Sequence, residues 1–258
     1  MKLRHRILRV GMRTVGRLSD GIRLGFETGF NSGTMVDYVY RNEAHGITPL
    51  GRLLDRMMLD HVVWRGVRAR RTLLVRQLTE LLATRPGAGL FDVAAGPGSY
   101  LFELPPGRYF AGDIDQDEVD KGRARSARDG RPDIEFVRAD AFDEATWPVR
   151  PVDILVASGF FDILDKEQDV VALLAAGSRA AAADAHWVFT VMEAHPDILM
   201  LRDVLVDFHG QPWEAVTRSA ERVLELAAPL GWRVTRVERE PYGLFAVAMM
   251  ARVPGAGS

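Results

Sequence analysis

The sequence predicts an α/β protein: a doubly wound, mostly parallel sheet closed by a terminal antiparallel hairpin and preceded by a helical section. Three observations predict it. From residue 90 onward, short apolar runs alternate with segments of helical period, the pattern of strands joined by crossover helices. The first run, residues 90–94, feeds into Gly96-Pro97-Gly98, a tight turn that lets backbone N–H groups and a following helix approach a ligand. Three successive runs also end in an acid, Asp92, Asp113 and Asp140, at the strand C-termini where open α/β sheets bind ligands.

Composition bounds the rest. With 258 residues, 47% hydrophobic and 26% charged, the chain can bury one full core and suits one α/β domain with an extension. It has no cysteine, which excludes disulfides, thiolate metal sites and a cysteine nucleophile, and fits a reducing cytoplasm. No apolar run reaches the ~18 residues of a membrane span, and no signal-peptide core is present. The net charge of −2 hides an asymmetry: residues 1–85 hold 16 Lys and Arg against 7 Asp and Glu, residues 86–258 hold 17 against 28. A basic front section precedes an acidic body.

In order, residues 2–24 place Leu3, Ile7, Val10, Val15, Leu18 and Ile22 at helical spacing among Lys2, Arg4, Arg6, Arg9, Arg13, Arg17 and Arg23. Such a segment can lie on an anionic membrane surface, close over a site as a lid, or pack on the body with a solvated cationic face. Gly11, Gly16 and Gly21 weaken it as a helix. A polar turn at residues 29–33 leads into an aromatic stretch, and residues 50–59 and 62–82 read as helices. Residues 90–94, 108–112, 134–140, 152–157 and 186–192 read as five strands. Between and after them, residues 99–104 begin a helix, and 119–128, 170–183 and 213–229 read as helices. Residues 233–240 and 244–251 make the hairpin around Pro241-Tyr242-Gly243, with a frayed tail from Pro254.

A dinucleotide fingerprint needs a third glycine where Leu101 stands. Asp92, Ala94, Gly96 and Gly98 instead resemble the acidic-x-Gly-x-Gly-x-Gly motif of class I S-adenosylmethionine-dependent methyltransferases, with Ala94 in place of the first glycine. The front section adds Gly29-Phe30-Asn31-Ser32-Gly33, Tyr40-Arg41-Asn42, Leu50-Gly51-Arg52-Leu53-Leu54-Asp55-Arg56 and Trp64-Arg65-Gly66-Val67-Arg68-Ala69-Arg70. With these, residues 26–250 resemble a subgroup of bacterial class I methyltransferases that carry a helical N-terminal cap.

The resemblance implies a seven-stranded Rossmann-like sheet over residues 86–253, a basic helical cap or lid over residues 1–85, and a small-molecule acceptor enclosed between them. It implies S-adenosylmethionine as methyl donor, with S-adenosylhomocysteine as product. Asp92, Ala94, Gly96 and Gly98 form the cofactor loop; Asp113 accepts from the ribose hydroxyls, with Ile114 beside it; Asp140 and Ala141 face the adenine; and Ser158 opens the loop after the fourth strand. Arg68 and Arg71 share a helix face, so one can pair with the methionine carboxylate. Asn31, Tyr38, Tyr40, Trp64, Phe160 and Phe161 are the candidate acceptor-pocket residues.

No metal or covalent intermediate is needed for this transfer: the histidines show no paired ligand spacing, and Asp113-Ile114-Asp115-Gln116-Asp117 fails as a calcium loop, with Glu118 where glycine belongs. If the acceptor needs deprotonation, His195, Asp162, Tyr38 and Glu193 are the candidate bases, His195 foremost because it follows the fifth strand. Ser158-Gly159-Phe160-Phe161 lacks the two prolines that nucleobase methyltransferases place there, and no nucleic-acid-binding module is evident, so nucleic acid is not the expected partner. Two other classes stay open: a lipid methyltransferase at the membrane surface through residues 2–24, and a non-catalytic S-adenosylmethionine-binding protein.

Overall fold

A computed structural model describes residues 2–253; the expected tail from Pro254 lies outside them. The chain forms two compact units, Met1–Ala69 with His195–Ala215, and Arg70–Ala194 with the segment from Val216 onward. The first boundary falls at Ala69, inside a helix, rather than near residue 85, and the helical unit takes in a second stretch, residues 195–215.

The larger unit is a seven-stranded sheet in the order β3-β2-β1-β4-β5-β7-β6. Its strands are β1 (Gly89–Asp92), β2 (Arg108–Asp113), β3 (Ile134–Arg138), β4 (Val152–Ala157), β5 (Ala181–Met192), β6 (Trp232–Arg239) and β7 (Phe245–Arg252). The pairs among β1 to β5 are parallel, and β7 runs antiparallel to both β5 and β6. Side chains on a strand alternate between faces, and β4 shows this: Ile154 and Val156 join one core cluster with Leu74, Leu78 and Leu90, while Leu155 and Ala157 join the other with Phe91, Trp187 and Phe189.

The helices of this unit are the later part of α5 (Val62–Thr84), α6 (Gln116–Asp129), α7 (Glu167–Ala180) and α9 (Ala220–Ala227). Asp115 caps α6 at its start and Gly130, at φ 65°, ends it in the left-handed region. Two expectations are corrected. Residues 99–103 form a 3-10 turn rather than the first turn of an α-helix. The helix expected over 213–229 starts at Ala220, because Ser219 accepts the Arg222 N–H as N-cap, while the buried Arg218 donates to the carbonyls of Phe161 and Leu164.

The smaller unit contains α1 (Leu3–Arg13), a 3-10 turn (Val15–Leu18), α2 (Asp20–Thr28), α3 (Gly33–Arg41), α4 (Pro49–Leu59), the start of α5, and α8 (Ile198–Val204). The basic segment is therefore two helices, broken at Thr14, where the backbone turns to φ −110°, ψ −95°. The unit is organised by Asp55, which has no exposed surface. Its Oδ1 accepts from Ser19 Oγ (2.5 Å) and Gly21 N (2.8 Å), and its Oδ2 from Tyr38 Oη (2.5 Å) and His45 N (2.9 Å). One carboxylate thus joins α2, α3 and the turn before α4. Gly51 lets α4 approach closely: a Cβ there would lie 2.1 Å from the Leu18 carbonyl oxygen.

Replacing a buried acceptor leaves its donors unpaired, at about 1–3 kcal/mol each when nothing replaces it. Asp55→Leu is expected to destabilise the chain by more than about 3 kcal/mol, and Asp55→Asn, which keeps one acceptor oxygen, by less. Urea unfolding midpoints of the two variants against the parent chain check the order.

Candidate active site

The cofactor loop is built from below and from the side. Asp92, at the end of β1, has no exposed surface. Its Oδ2 accepts from Tyr100 Oη (2.7 Å) and its Oδ1 from Ala94 N (3.1 Å), so its part is to hold the loop's shape. Asp113, at the end of β2, accepts from Gly96 N at 2.8 Å on Oδ2 and from Asp115 N at 2.9 Å on Oδ1. Ala95 N donates to the Gly112 carbonyl at 2.8 Å. The loop's N–H groups at residues 94–96 are thus directed inward, toward β1 and β2, and the loop offers close backbone approach more than a row of free donors. Gly96 and Gly98 sit at φ 55° and 63°, and a Cβ on Gly98 would meet the Phe136 ring at 2.9 Å.

A carboxylate oxygen has two acceptor positions, so each oxygen of Asp113 keeps one for a further donor. Ile114, next in sequence, is 59% exposed. At the end of β3, Asp140 accepts from Phe142 N on Oδ1 (2.8 Å), and Oδ2 has no partner among the described residues. Ala141 is buried, and Phe142 is 39% exposed with its ring 5.9 Å from that of Phe160. The carboxyl ends of β1, β2 and β3 therefore gather two doubly tied acids, a third acid with an open oxygen, and exposed apolar surface.

The loop after β4 is pinned. Gly159, at φ 80°, donates its N–H to Thr190 Oγ1 at 2.8 Å beside the half-buried Ser158. Asp162 accepts from Met192 N (2.5 Å) on Oδ1, and its Oδ2 pairs with Arg70 (3.2 Å), whose guanidinium lies 5.0 Å over the Phe245 ring. Burial raises the Asp162 carboxyl to about 6, against the pull of Arg70, the Met192 N–H and Arg218. Asp162 and Arg70 thus tie this loop to β5 and α5. Phe161 is 1% exposed and packs edge-on against Phe189, in the core rather than on a pocket wall. Glu193 is bound by Arg239 and accepts the Ala220 N–H at the start of α9, which leaves it structural.

The remaining candidates lie in the helical unit. Tyr38 donates to Asp55, and burial with that neighbouring carboxylate raises its phenol far above the ordinary value, which excludes it as a base at neutral pH. Asn31 Oδ1 accepts from Phe208 N at 2.9 Å, and Tyr40 is half-buried on α3. Arg68 donates to the Leu59 carbonyl at 3.0 Å; Arg71, expected on the same helix face, falls within the sheet unit and pairs there with Glu103. Trp64 and His195 do come together, among the residues lining one cavity of about 520 Å³. His195 Nδ1 accepts from Asp197 N at 3.1 Å. That places the ring proton on Nε2, which is buried with no partner among the described residues. Burial, then the nearby His61, lower its pKa, so His195 is a neutral donor and not a proton acceptor at Nε2.

Three contributors escaped sequence reading. Arg70 sits two residues from Arg68 in a dense arginine stripe, and spacing alone does not select between them. Tyr100 holds Asp92 from the turn after the glycines, where hydroxyl and ring are equally plausible roles. His5 is 2% exposed and bridges Asp203 (2.8 Å) and Asp197 (3.2 Å), joining α1 to α8 across 192 and more residues.

Comparisons with known proteins agree with this fold. A protein-family model described as "Putative methyltransferase" matches residues 1–252. The chain is 31% identical over 267 residues to the "Uncharacterized protein YnbC" of Escherichia coli K12; the match takes in 97% of this chain and 45% of that one, so the chain spans less than half of its relative. Among solved structures, it is similar to a possible exported protein from Bordetella parapertussis (TM-score 0.66, 20% identity, 85% of this chain and 79% of the other). It is also similar to magnesium protoporphyrin IX methyltransferase from Synechocystis PCC 6803 with bound S-adenosylhomocysteine (TM-score 0.61, 11% identity, 88% and 97%). Both structural likenesses show the fold.

Burial raises the Asp92 carboxyl to about 7, against hydrogen bonds from Tyr100 and Ala94, while its ordinary value is 3.8. The folded chain then holds this proton more tightly than the unfolded one, so the group's contribution to stability is full below about pH 4 and is lost as pH rises through about 7. Asp92→Asn is expected to flatten this fall, seen as a smaller difference between urea midpoints at pH 5 and pH 8 than in the parent chain.

Proposed function

The chain belongs to this methyltransferase family, and on that premise we propose that it transfers a methyl group from S-adenosylmethionine to a small-molecule acceptor. One arrangement carries the cofactor: the Asp113 carboxylate, fixed by the Gly96 and Asp115 N–H groups, keeps acceptor positions for a vicinal diol at the carboxyl end of β2. Ile114 and Phe142 offer apolar surface to a flat base, and the open oxygen of Asp140 suits its exocyclic amine. This donor and acceptor set fits a nucleoside.

Bound there, the cofactor supplies a methyl group already activated by a sulfonium centre. The chain's own share is to orient the acceptor and exclude water. Asp162 and Arg70 hold the loop after β4 in one conformation, and Asp92 does the same for the loop after β1. Tyr38, Glu193 and Asp162 are engaged in other bonds, so none of them stands free as a base for an acceptor that must lose a proton.

Isothermal titration with S-adenosylmethionine tests the cofactor. Asp113→Ala is expected to weaken binding about 10- to 100-fold, since hydrogen bonds to a charged group are worth about 1.5–3 kcal/mol, and Asp113→Asn less. No heat with the parent chain, and none with S-adenosylhomocysteine, would refute the assignment.

A second reading concerns location. Leu3, Ile7 and Val10 on α1 are 73%, 65% and 58% exposed, interleaved with exposed Lys2, Arg6 and Arg9, a surface suited to anionic lipid headgroups. No helix among the described residues is long and apolar enough to cross a membrane. Co-sedimentation with phosphatidylglycerol vesicles is expected to fall when Lys2, Arg6 and Arg9 are changed together to Gln; binding unaltered by that change would remove the reading.

A further inference from the structure

The helical unit presents two apolar ridges to solvent. On α1, Leu3, Ile7 and Val10 are exposed; on α4, Leu50, Leu53 and Met57, spaced three and four apart along one side of the helix, are exposed as well. A cavity of about 520 Å³ opens beside them: Ile7, Leu8, Val15 and Met57 both line it and are exposed, so they form its rim. Its volume lies in the range of about 300–1,000 Å³ usual for small-molecule sites. Among its lining residues there is no Asp, Glu, Lys or Arg, and burial lowers the pKa of the two lining imidazoles, His61 and His195, which keeps them neutral. Four of the chain's nine methionines line it, unbranched thioether side chains that repack around irregular apolar shapes.

Gly11 is the lining residue that packing does not account for. It lies inside α1, where glycine is destabilising relative to alanine. A Cβ at Gly11 would meet no atom within 4 Å beyond its own stretch of helix, whereas one on Gly16, the other glycine of the lining, would lie 3.2 Å from the Gly11 carbonyl oxygen. The missing side chain at residue 11 leaves width at the cavity wall.

An apolar, uncharged wall suits hydrocarbon, and the charges around it select the source. Residues 2–19 hold six Lys and Arg and no Asp or Glu. A second copy of the chain set on this face would bring like charges together, which opposes association. An anionic bilayer meets them with opposite charge and offers hydrocarbon to both ridges. We propose that the cavity takes one acyl chain of an anionic membrane lipid, admitted over the rim that α1 and α4 form. This rests on the membrane-surface reading above and adds to it an interior site for the lipid.

The test uses the full chain, phosphatidylglycerol vesicles with brominated acyl chains, and tryptophan emission. Trp64 and Trp213 line the cavity, while Trp147, Trp187 and Trp232 belong to the core of the sheet unit. Brominated vesicles are expected to quench the Trp64 and Trp213 share of the emission, relative to vesicles without bromine. Gly11→Phe, which fills the cavity wall, is expected to lose most of that quenching while still co-sedimenting with the vesicles; Gly11→Leu loses part of it, and Gly11→Ala, which adds little volume, keeps it. Thermal unfolding of the variants confirms that they fold. Co-sedimentation without quenching in the parent chain, or quenching undiminished in Gly11→Phe and Gly11→Leu, would overturn the cavity site and leave the membrane reading standing. No co-sedimentation of the parent chain would overturn both. Equal quenching by a monomeric brominated fatty acid without vesicles would overturn the bilayer as the source of the chain.

Discussion

The turn at the end of β1 depends on two carboxylates, and the candidate site depends on that turn. Asp92 lies beneath it with both oxygens engaged, and Asp113 lies beside it, tying Gly96 to Asp115. Two left-handed glycines alone would leave a loop with many conformations, since glycine loses more entropy on folding than other residues. Charge-assisted bonds to the backbone offset that loss. The cost is a pair of desolvated acids, Asp92 buried and Asp113 half-buried, and in both the desolvation raises the pKa more than the bonds lower it. Binding a diol at Asp113 would supply further donors to a carboxylate that folding has only partly satisfied.

The helical unit repeats this device with different partners. Asp55 collects four donors from α2, α3 and the segment around His45. The front motifs are read through it: Gly51 is there for the approach of α4 to Leu18, Ser19 as both N-cap and Asp55 partner, and Tyr38 as a buried hydroxyl donor. Gly29-Phe30-Asn31-Ser32 likewise serves packing. Phe30 N donates to the Val206 carbonyl, Asn31 accepts from Phe208, and Ser32 caps α3. These residues resembled site residues in sequence because polar side chains that organise a backbone and polar side chains that meet a ligand are the same residue types.

The strands were legible because a two-residue period and a buried apolar run leave few alternatives, and β4 and β7 fall within a residue of expectation. The acids at the strand ends were legible for the same reason: topology places every parallel strand's carboxyl end on one edge. The helix expected over 213–229 was not, although Trp213, Val216, Ala220 and Val223 keep helical spacing. There Arg218 finds two carbonyl acceptors only if the chain stays irregular until Ser219. Nor was the choice among arginines on α5. Residues 68 and 70 differ by about 200° around a helix axis at ~3.6 residues per turn, so Arg70 meets Asp162 while Arg68 turns back to Leu59.

His195 shows how far a residue's chemistry depends on its second nitrogen. Its place after β5 suggested a base, and the neutral ring agrees with that in charge. Yet a base needs a lone pair facing the acceptor. The Asp197 N–H occupies the Nδ1 lone pair, and the tautomer this enforces presents a proton at Nε2. Burial keeps the ring neutral and therefore fixes it in that role. A donor in an apolar wall can orient an oxygen, but it cannot take a proton from it, so His195 in this tautomer is no general base.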